Sequence, residues 1–414
     1  EMCIRDSFSA ALRRLVTVVP PAALTATLVF AGVMSSAAAD AGLVVLTPLG
    51  ALLFLSVGRH PLAGLCAAFA GVAGGFSANL LITSLDPLLA GLTEPAARLV
   101  DPAYAVAPTG NYYFMVASTF MLTAVGTVVT NRYVEPRFGA YVPTGADKPS
   151  SSALALLTPL EQRGLWAAFF AVLATTALVA FLVVPEGAIL RTPEGDLKPF
   201  YDSLVTLIML AFLIPGLAYG IVAKTIRSDK VVAQMAGETM GTMGAYVVLA
   251  FVAAQFVSYF GWSNLGLVLA VKGAELLKSL NLQGAPLLIG FVLVAALINL
   301  FIASSSAKWA VMASVFVPML MLMGYSPEAV QMSYRVGDSV TNIITPLLPY
   351  YPLLIAFAQK YDPKCGLGTL ISATLPYSVA FGLAWSVMLV IWILLDLPLG
   401  PGASVHYLAP GALK

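Results

Sequence analysis

Apolar runs without a charge follow one another along almost the whole chain, and they differ mainly in where they are interrupted. Residues 112–130, 165–185, 203–223 and 366–395 are unbroken and of bilayer-crossing length, which predicts spanning helices. Other runs are cut short. Residues 15–39 and 41–57 flank the motif SSAAAD, and Pro20 and Pro21 shorten the first arm further. Two arms near the lower limit for a crossing, meeting at small residues, predict a re-entrant hairpin. Residues 284–303 and a return arm to 323 repeat the pattern around SSSAKW. A helix from Pro61 runs into GVAGGFSANLLITSLDP, where Gly74, Gly75 and Pro87 predict an interruption. A second interrupted helix is expected over 328–358, with Pro346, Pro349 and Pro352 inside it. Residues 267–280, with Lys272, Glu275 and Lys278, read as a short amphipathic segment at the interface.

The two sets of broken elements echo each other. Ser35, Ser36 and Ala37 match Ser305, Ser306 and Ala307, and with that offset Pro48 falls on Pro318. SANLLITSLDP from Ser77 aligns without gaps to SVTNIITPLLP from Ser339, pairing Thr83 with Thr345 and Pro87 with Pro349. Each half is then a hairpin, a linker and a broken helix. Paired interrupted helices at corresponding positions point to a solute site between inverted repeats.

Composition agrees with the pattern. Hydrophobic residues are 59% and charged residues 10%, and mean hydropathy is +0.91. Soluble domains carry about 25% charged residues, so the fold class is an all-α polytopic membrane protein. The net charge of +1 gives no footing for nucleic acid. Cys3, Cys66 and Cys365 are isolated, which argues against a disulfide framework or a thiolate metal site. Loop charge alternates: residues 131–164 are basic, 186–202 acidic and 224–230 basic. The positive-inside rule puts the basic loops in the cytoplasm. The domain expectation is a first repeat over 1–130, a cytoplasmic loop with scaffold or subunit-contact helices over 131–230, and a second repeat over 231–414. The opening EMCIRDS suits neither a helix start nor a targeting segment, so an incomplete gene product with non-native first residues is expected.

The candidate chemistry lies where polar residues enter this apolar frame, because intramembrane charges are costly and tend to line a pathway. Arg335 and Asp338 lie three apart on one helical face. Either they pair with each other and steady the break, or Arg335 forks onto a substrate carboxylate while Asp338 takes a proton or Na⁺. Asp86, just before Pro87, is either a helix cap or a site residue. Ser304, Ser305 and Ser306, like Ser35 and Ser36, offer hydroxyls and free amides at a tip, or simply close packing. Trp309 either faces an aromatic solute or belongs to the core, and Lys308 has the length to snorkel outward. Asn79, Asn299 and Asn342 supply carbonyls suited to Na⁺ or to interhelical hydrogen bonds. HExxH, GxSxG and Walker motifs are absent from the sequence. That favours a secondary transporter driven by an ion gradient, with no cofactor. The alternative is a membrane-embedded enzyme using Asp86 and Asp338.

Several stretches carry a resemblance. VFAGVMSSAAADAGLVVLTPLGA, HPLAGLCAAFAGVAGGFSANLL, DPLLAGLT, NYYFMVAST, FIASSSAKWA and YRVGDSVTNIITPLLPYYPL together resemble the p-aminobenzoyl-glutamate transporter (AbgT) family. The resemblance implies a homodimer in the bacterial inner membrane, with two re-entrant hairpins and an inner core around a solute pathway. It implies ion-coupled movement of p-aminobenzoyl-glutamate, or efflux of sulfonamide antimetabolites. It places pathway residues at Asp86, Ser306, Trp309, Arg335, Asp338 and Pro349, with Asn299 and Asp338 near a Na⁺ site. Family members carry further transmembrane sequence before the first hairpin.

Overall fold

In a computed structural model, the 414-residue chain is described over 20–38, 41–141, 158–185, 187–192, 199–200, 203–242, 284–302, 304–348 and 350–407, with scattered positions between 248 and 275. The opening EMCIRDS stretch and all of the 267–280 segment except Glu275 lie outside the described residues.

Among the described residues the chain is helical and has no strand. In chain order the helices are α1 (Leu24–Met34), α2 (Ala41–Ser56), α3 (Pro61–Phe69), α4 (Leu85–Ala97), α5 (Tyr112–Val129), α6 (Glu135–Phe138), α7 (Pro159–Val183), α8 (Leu204–Val222) and α9 (Asp229–Thr242). They continue with α10 (Ala285–Asn299), α11 (Ser305–Met321), α12 (Pro327–Asn342), α13 (Tyr351–Gln359) and α14 (Leu367–Leu394). Tyr112–Phe138, Pro159–Val183 and Leu367–Leu394 are long and apolar enough to cross a membrane. The helices fall into two compact units. One holds α7, α8 and α9, and the other holds the remainder.

In the smaller unit α7 and α8 pack along each other. A capping box starts α7: Thr158 accepts from the Glu161 backbone N–H, Glu161 reaches back to the Thr158 N–H, and Pro159 sits at the first helical position. Gly164 lets the helices close, since a Cβ there would stand 3.0 Å from the Tyr219 ring. Of α7 only Gly164 and Thr175 are buried, while Trp166, Phe169, Phe170 and Phe181 stand exposed. A helix so apolar and so uncovered within its own unit suits lipid or another subunit.

The larger unit contains both expected tips. A 3₁₀ turn, Ser35–Ala38, follows the α1 arm, and the α2 arm starts at Ala41. Residues 300–304 join α10 to α11. The arms of each pair differ in their main partners. Helix α1 packs on α5 and on the π turn that extends α3, whereas α2 lies along α3. Likewise α10 lies along α12, while α11 packs mainly on α4 from the first half. The two halves therefore interlock.

Both broken helices form where glycine and proline predict. Helix α3 runs on as a π turn, Ala70–Gly74, and then leaves helical geometry until α4. Helix α12 starts cleanly, with Ser326 accepting from the Ala329 N–H at 3.1 Å, Pro327 at the first helical position and Glu328 in the first turn. It stops at Asn342, and α13 resumes at Tyr351. Carbonyls freed at this break find side-chain donors. Ser378 donates to Val340 O at 2.7 Å, and Tyr351 and Thr374 donate to Ile343 O at 2.5 and 3.3 Å. Interrupted backbone inside a membrane protein survives only when its polar groups are satisfied in this way.

Candidate functional site

Helix α12 is the axis of the site. All 16 of its residues are buried, yet Glu328, Gln331, Arg335, Asp338 and Asn342 recur along it at spacings of three and four, which puts them on one face. A polar stripe on a fully buried helix must be answered by polar groups on its neighbours.

Asp86 of α4 answers Arg335. The Arg335 Nη1 donates to Asp86 Oδ1 at 2.6 Å, and both side chains are 1% exposed. The other oxygen, Asp86 Oδ2, accepts from the Thr83 N–H at 2.6 Å and the Thr83 hydroxyl at 3.0 Å. Asp86 thus braces the turn that leads into α4 through Thr83 and also holds the arginine, but it is not the N-cap of α4, which is Ser84. Arg335 Nε is buried and has no partner among the described residues.

One turn further along, Lys308 of α11 answers Asp338. Its ammonium donates to Asp338 Oδ1 at 2.5 Å, with both side chains fully buried. The same Nζ donates to Asn299 Oδ1. Asn299 Nδ2 lies 2.7 Å from the Asp338 carbonyl and 2.9 Å from both Thr341 Oγ1 and Asn342 Oδ1. Lys308 therefore does not snorkel. A turn of α12 separates Arg335 from Asp338, and each is neutralised from a different helix instead of by the other. The amide of Asn299 is oriented by its charged neighbour, because the lysine needs an oxygen facing it.

Trp309 is fully buried. Its ring stacks on Tyr334 with centroids 4.4 Å apart and 28° between planes. Its Nε1 donates to Thr93 Oγ1 at 2.9 Å. Thr93 reaches Gln331 Oε1 at 2.6 Å, Gln331 donates to Asn111 Oδ1 at 2.9 Å, and Asn111 donates to the Glu328 carbonyl at 2.8 Å. In this conformation one face of Trp309 is covered by Tyr334. The Tyr334 hydroxyl donates to the Ser305 carbonyl at 2.6 Å and stands 3.5 Å from Asp338 Oδ1. Thr93, Gln331, Asn111 and Tyr334 were not singled out from the sequence. Gln331 was the findable one, lying four residues before Arg335 on the same stripe.

The remaining candidates lie apart from the ion pairs or outside the described chain. Ser304 caps α11 through the Ala307 N–H at 3.4 Å, and Ser306 is half-buried in the first turn. At the other tip Ser35 donates to the Gly32 carbonyl at 2.6 Å, and Ser36 donates to the Val33 carbonyl at 3.0 Å. Asn79 donates to Ser36 Oγ at 2.8 Å, so it ties the first tip to the first break. Pro349 lies outside the described residues.

The Na⁺ expectation can be tested against these contacts. Asn299 Oδ1 and Asp338 Oδ1 receive the lysine ammonium, and Asn342 Oδ1 faces the Asn299 amide. A hard cation needs several free oxygens. As arranged, these three residues do not offer them. Of their side-chain oxygens, Asp338 Oδ2 is the one buried without a hydrogen-bond partner among the described residues.

Comparison with known proteins agrees with this architecture. Residues 5–407 match a family model described as "AbgT putative transporter family". The p-aminobenzoyl-glutamate transport protein of Escherichia coli (strain K12) is 41% identical over 376 residues, covering 90% of this chain and 73% of that protein. The crystal structure of the Alcanivorax borkumensis YdaH transporter superposes with a TM-score of 0.90 at 46% identity, over 96% of this chain and 84% of that one. Neisseria gonorrhoeae MtrF, described within a class of antimetabolite efflux pumps, gives 0.89 at 48% identity, over 97% and 81%. These relatives are transporters, and Asp86 and Asp338 are each engaged by a separate cation, so the enzyme alternative is set aside. The chain belongs to the AbgT transporter family.

Proposed function

We propose that this protein moves aromatic carboxylates of the p-aminobenzoyl-glutamate type, and antimetabolites resembling them, across the bacterial inner membrane under an ion gradient. The supporting observation is the buried Arg335, which holds Asp86 through Nη1 while its Nε has no partner among the described residues. A guanidinium with unused donors in an apolar frame is suited to a carboxylate, and the fork geometry gives direction as well as attraction. Asp338, one turn away, is the group through which the ion gradient acts. Ser305, Ser306 and Trp309 border the same end of α11, and Asp86 anchors the opposite side. Ser35 and Ser36 play the corresponding part at the first tip. The broken elements form two re-entrant repeats, and the uncovered face of α7 meets a second subunit in a homodimer.

Flux in proteoliposomes tests this reading. Labelled p-aminobenzoyl-glutamate should accumulate above equilibrium when either a Na⁺ or a proton gradient is imposed alone, and the gradient that works identifies the coupling ion. Equilibration without accumulation under both would remove ion coupling. Absence of movement would remove transport of this substrate class.

A further inference from the structure

We propose that Thr93 is a positioning residue: it fixes the Trp309 ring on α4, the helix that also fixes Arg335 through Asp86, so that α4 sets how far apart a solute must carry its ring and its carboxylate. The proposal rests on the reading of Arg335 and Trp309 as solute-binding groups and adds the element that spaces them.

The geometry has three parts. First, the hydrogen bonds that leave the ring run in one direction. Trp309 Nε1 donates to Thr93 Oγ1 at 2.9 Å, Thr93 to Gln331 Oε1 at 2.6 Å, Gln331 Nε2 to Asn111 Oδ1 at 2.9 Å, and Asn111 Nδ2 to the Glu328 carbonyl at 2.8 Å. The two ends force that direction, because an indole nitrogen only donates and a carbonyl only accepts. Turning over the Asn111 amide would set its oxygen against the Glu328 carbonyl, and turning over Gln331 would set two amide oxygens together. The Thr93 hydroxyl has one proton, and the shorter of its two contacts, 2.6 Å to Gln331 against 2.8 Å to the Leu89 carbonyl, continues the chain. Second, Trp309, Thr93, Gln331 and Asn111 are all buried. A buried N–H that loses its acceptor carries its full desolvation cost, so the ring is held with Nε1 toward α4, although the χ2 torsion of tryptophan is otherwise soft. Third, Asp86 and Thr93 lie seven residues apart on α4, on one face and about 10 Å apart along the axis. Their partners Arg335 and Gln331 lie four apart on α12. One rigid helix thus presents an acceptor to the guanidinium and another to the ring. A solute that meets both must carry ring and carboxylate at separate ends. p-Aminobenzoyl-glutamate does, whereas p-aminobenzoate has its carboxylate directly on the ring.

Equilibrium binding of these two ligands to the purified full chain, read by calorimetry, tests the spacing without any flux. The wild type should favour p-aminobenzoyl-glutamate about tenfold, or about 1.4 kcal/mol. Thr93→Val keeps the shape and removes the acceptor, and it should bring the two ligands close to parity, mainly by weakening p-aminobenzoyl-glutamate. Thr93→Ser keeps the hydroxyl and should restore the preference. Trp309→Phe keeps a ring, removes the N–H and leaves Thr93 and Gln331 as they are. It should lose the preference to the same extent, and it carries the test if Thr93→Val is not recovered folded. Adding Thr93→Val to Trp309→Phe should change neither affinity further. A wild type that binds both ligands alike, or a Trp309→Phe or Thr93→Val chain with the wild-type preference, would overturn the proposal. So would a Thr93→Val effect of equal size in the Trp309→Phe background, since Thr93 would then act through packing and not through the ring. A wild type that binds neither ligand would remove the solute-binding reading itself, and the proposal with it.

Discussion

Arg335 has more donors than Asp86 can use, and that surplus separates a site residue from a structural ion pair. If the arginine only steadied the break, its loss would weaken all ligands alike through the fold. If it forks onto a carboxylate, Arg335→Ala should reduce affinity for p-aminobenzoyl-glutamate more than for an uncharged sulfonamide. A charge-assisted hydrogen bond is worth about 1.5–3 kcal/mol, so the difference should be roughly ten- to a hundredfold in equilibrium binding. Equal loss for both ligands would return Arg335 to a structural role. The sequence showed the charges but not their pairing. Arg335 and Asp338 look like each other's neighbours at a spacing of three, yet the partners lie 249 and 30 residues away. Local periodicity contains nothing about such distances. Lys308 illustrates the same limit: its length suits escape to the interface, and only the acceptors brought by α10 and α12 keep it inside.

At the scale of elements, the hairpins and broken helices were legible because proline, glycine and serine punctuate charge-free runs. What the pattern did not show is that the arms of each tip differ in their main partners, α11 packing most on α4 while it also touches α12. Packing partners depend on surface relief that a hydropathy pattern does not encode. Gly337 is one such feature. A Cβ there would stand 2.4 Å from the Val292 carbonyl and 2.7 Å from the Ala295 Cβ, so α12 seats against α10 only with glycine at this point. That seating brings Asp338 to Asn299. Gly337→Ala should lower stability by about 1–3 kcal/mol, the usual cost of overpacking, read as a fall in unfolding temperature. An unchanged temperature would mean that α10 and α12 have slack between them. The repeat also has an asymmetry. In the alignment that pairs Ser77 with Ser339, Gly75 falls opposite Gly337, but Ala73 falls opposite Arg335 and Phe76 opposite Asp338. The two halves share a frame, and the second supplies most of the charge.

For the molecule as a whole, the fold class followed from hydropathy and the family from motifs spread along the chain, while the site had to wait for tertiary contacts. The larger unit brings the helices of both repeats together around α12, with one ion pair to each side of a single helical turn. On the proposed function, aromatic carboxylates cross the membrane at this layer. Counterflow in proteoliposomes tests it most directly, because it needs no ion gradient. Vesicles loaded with unlabelled p-aminobenzoyl-glutamate are diluted into a trace of labelled compound. The wild type should show a transient overshoot of label, and a folded Arg335→Ala chain should show little or none. Wild-type vesicles without an overshoot, or an Arg335→Ala overshoot equal to that of the wild type, would mean that aromatic carboxylates do not cross at Arg335.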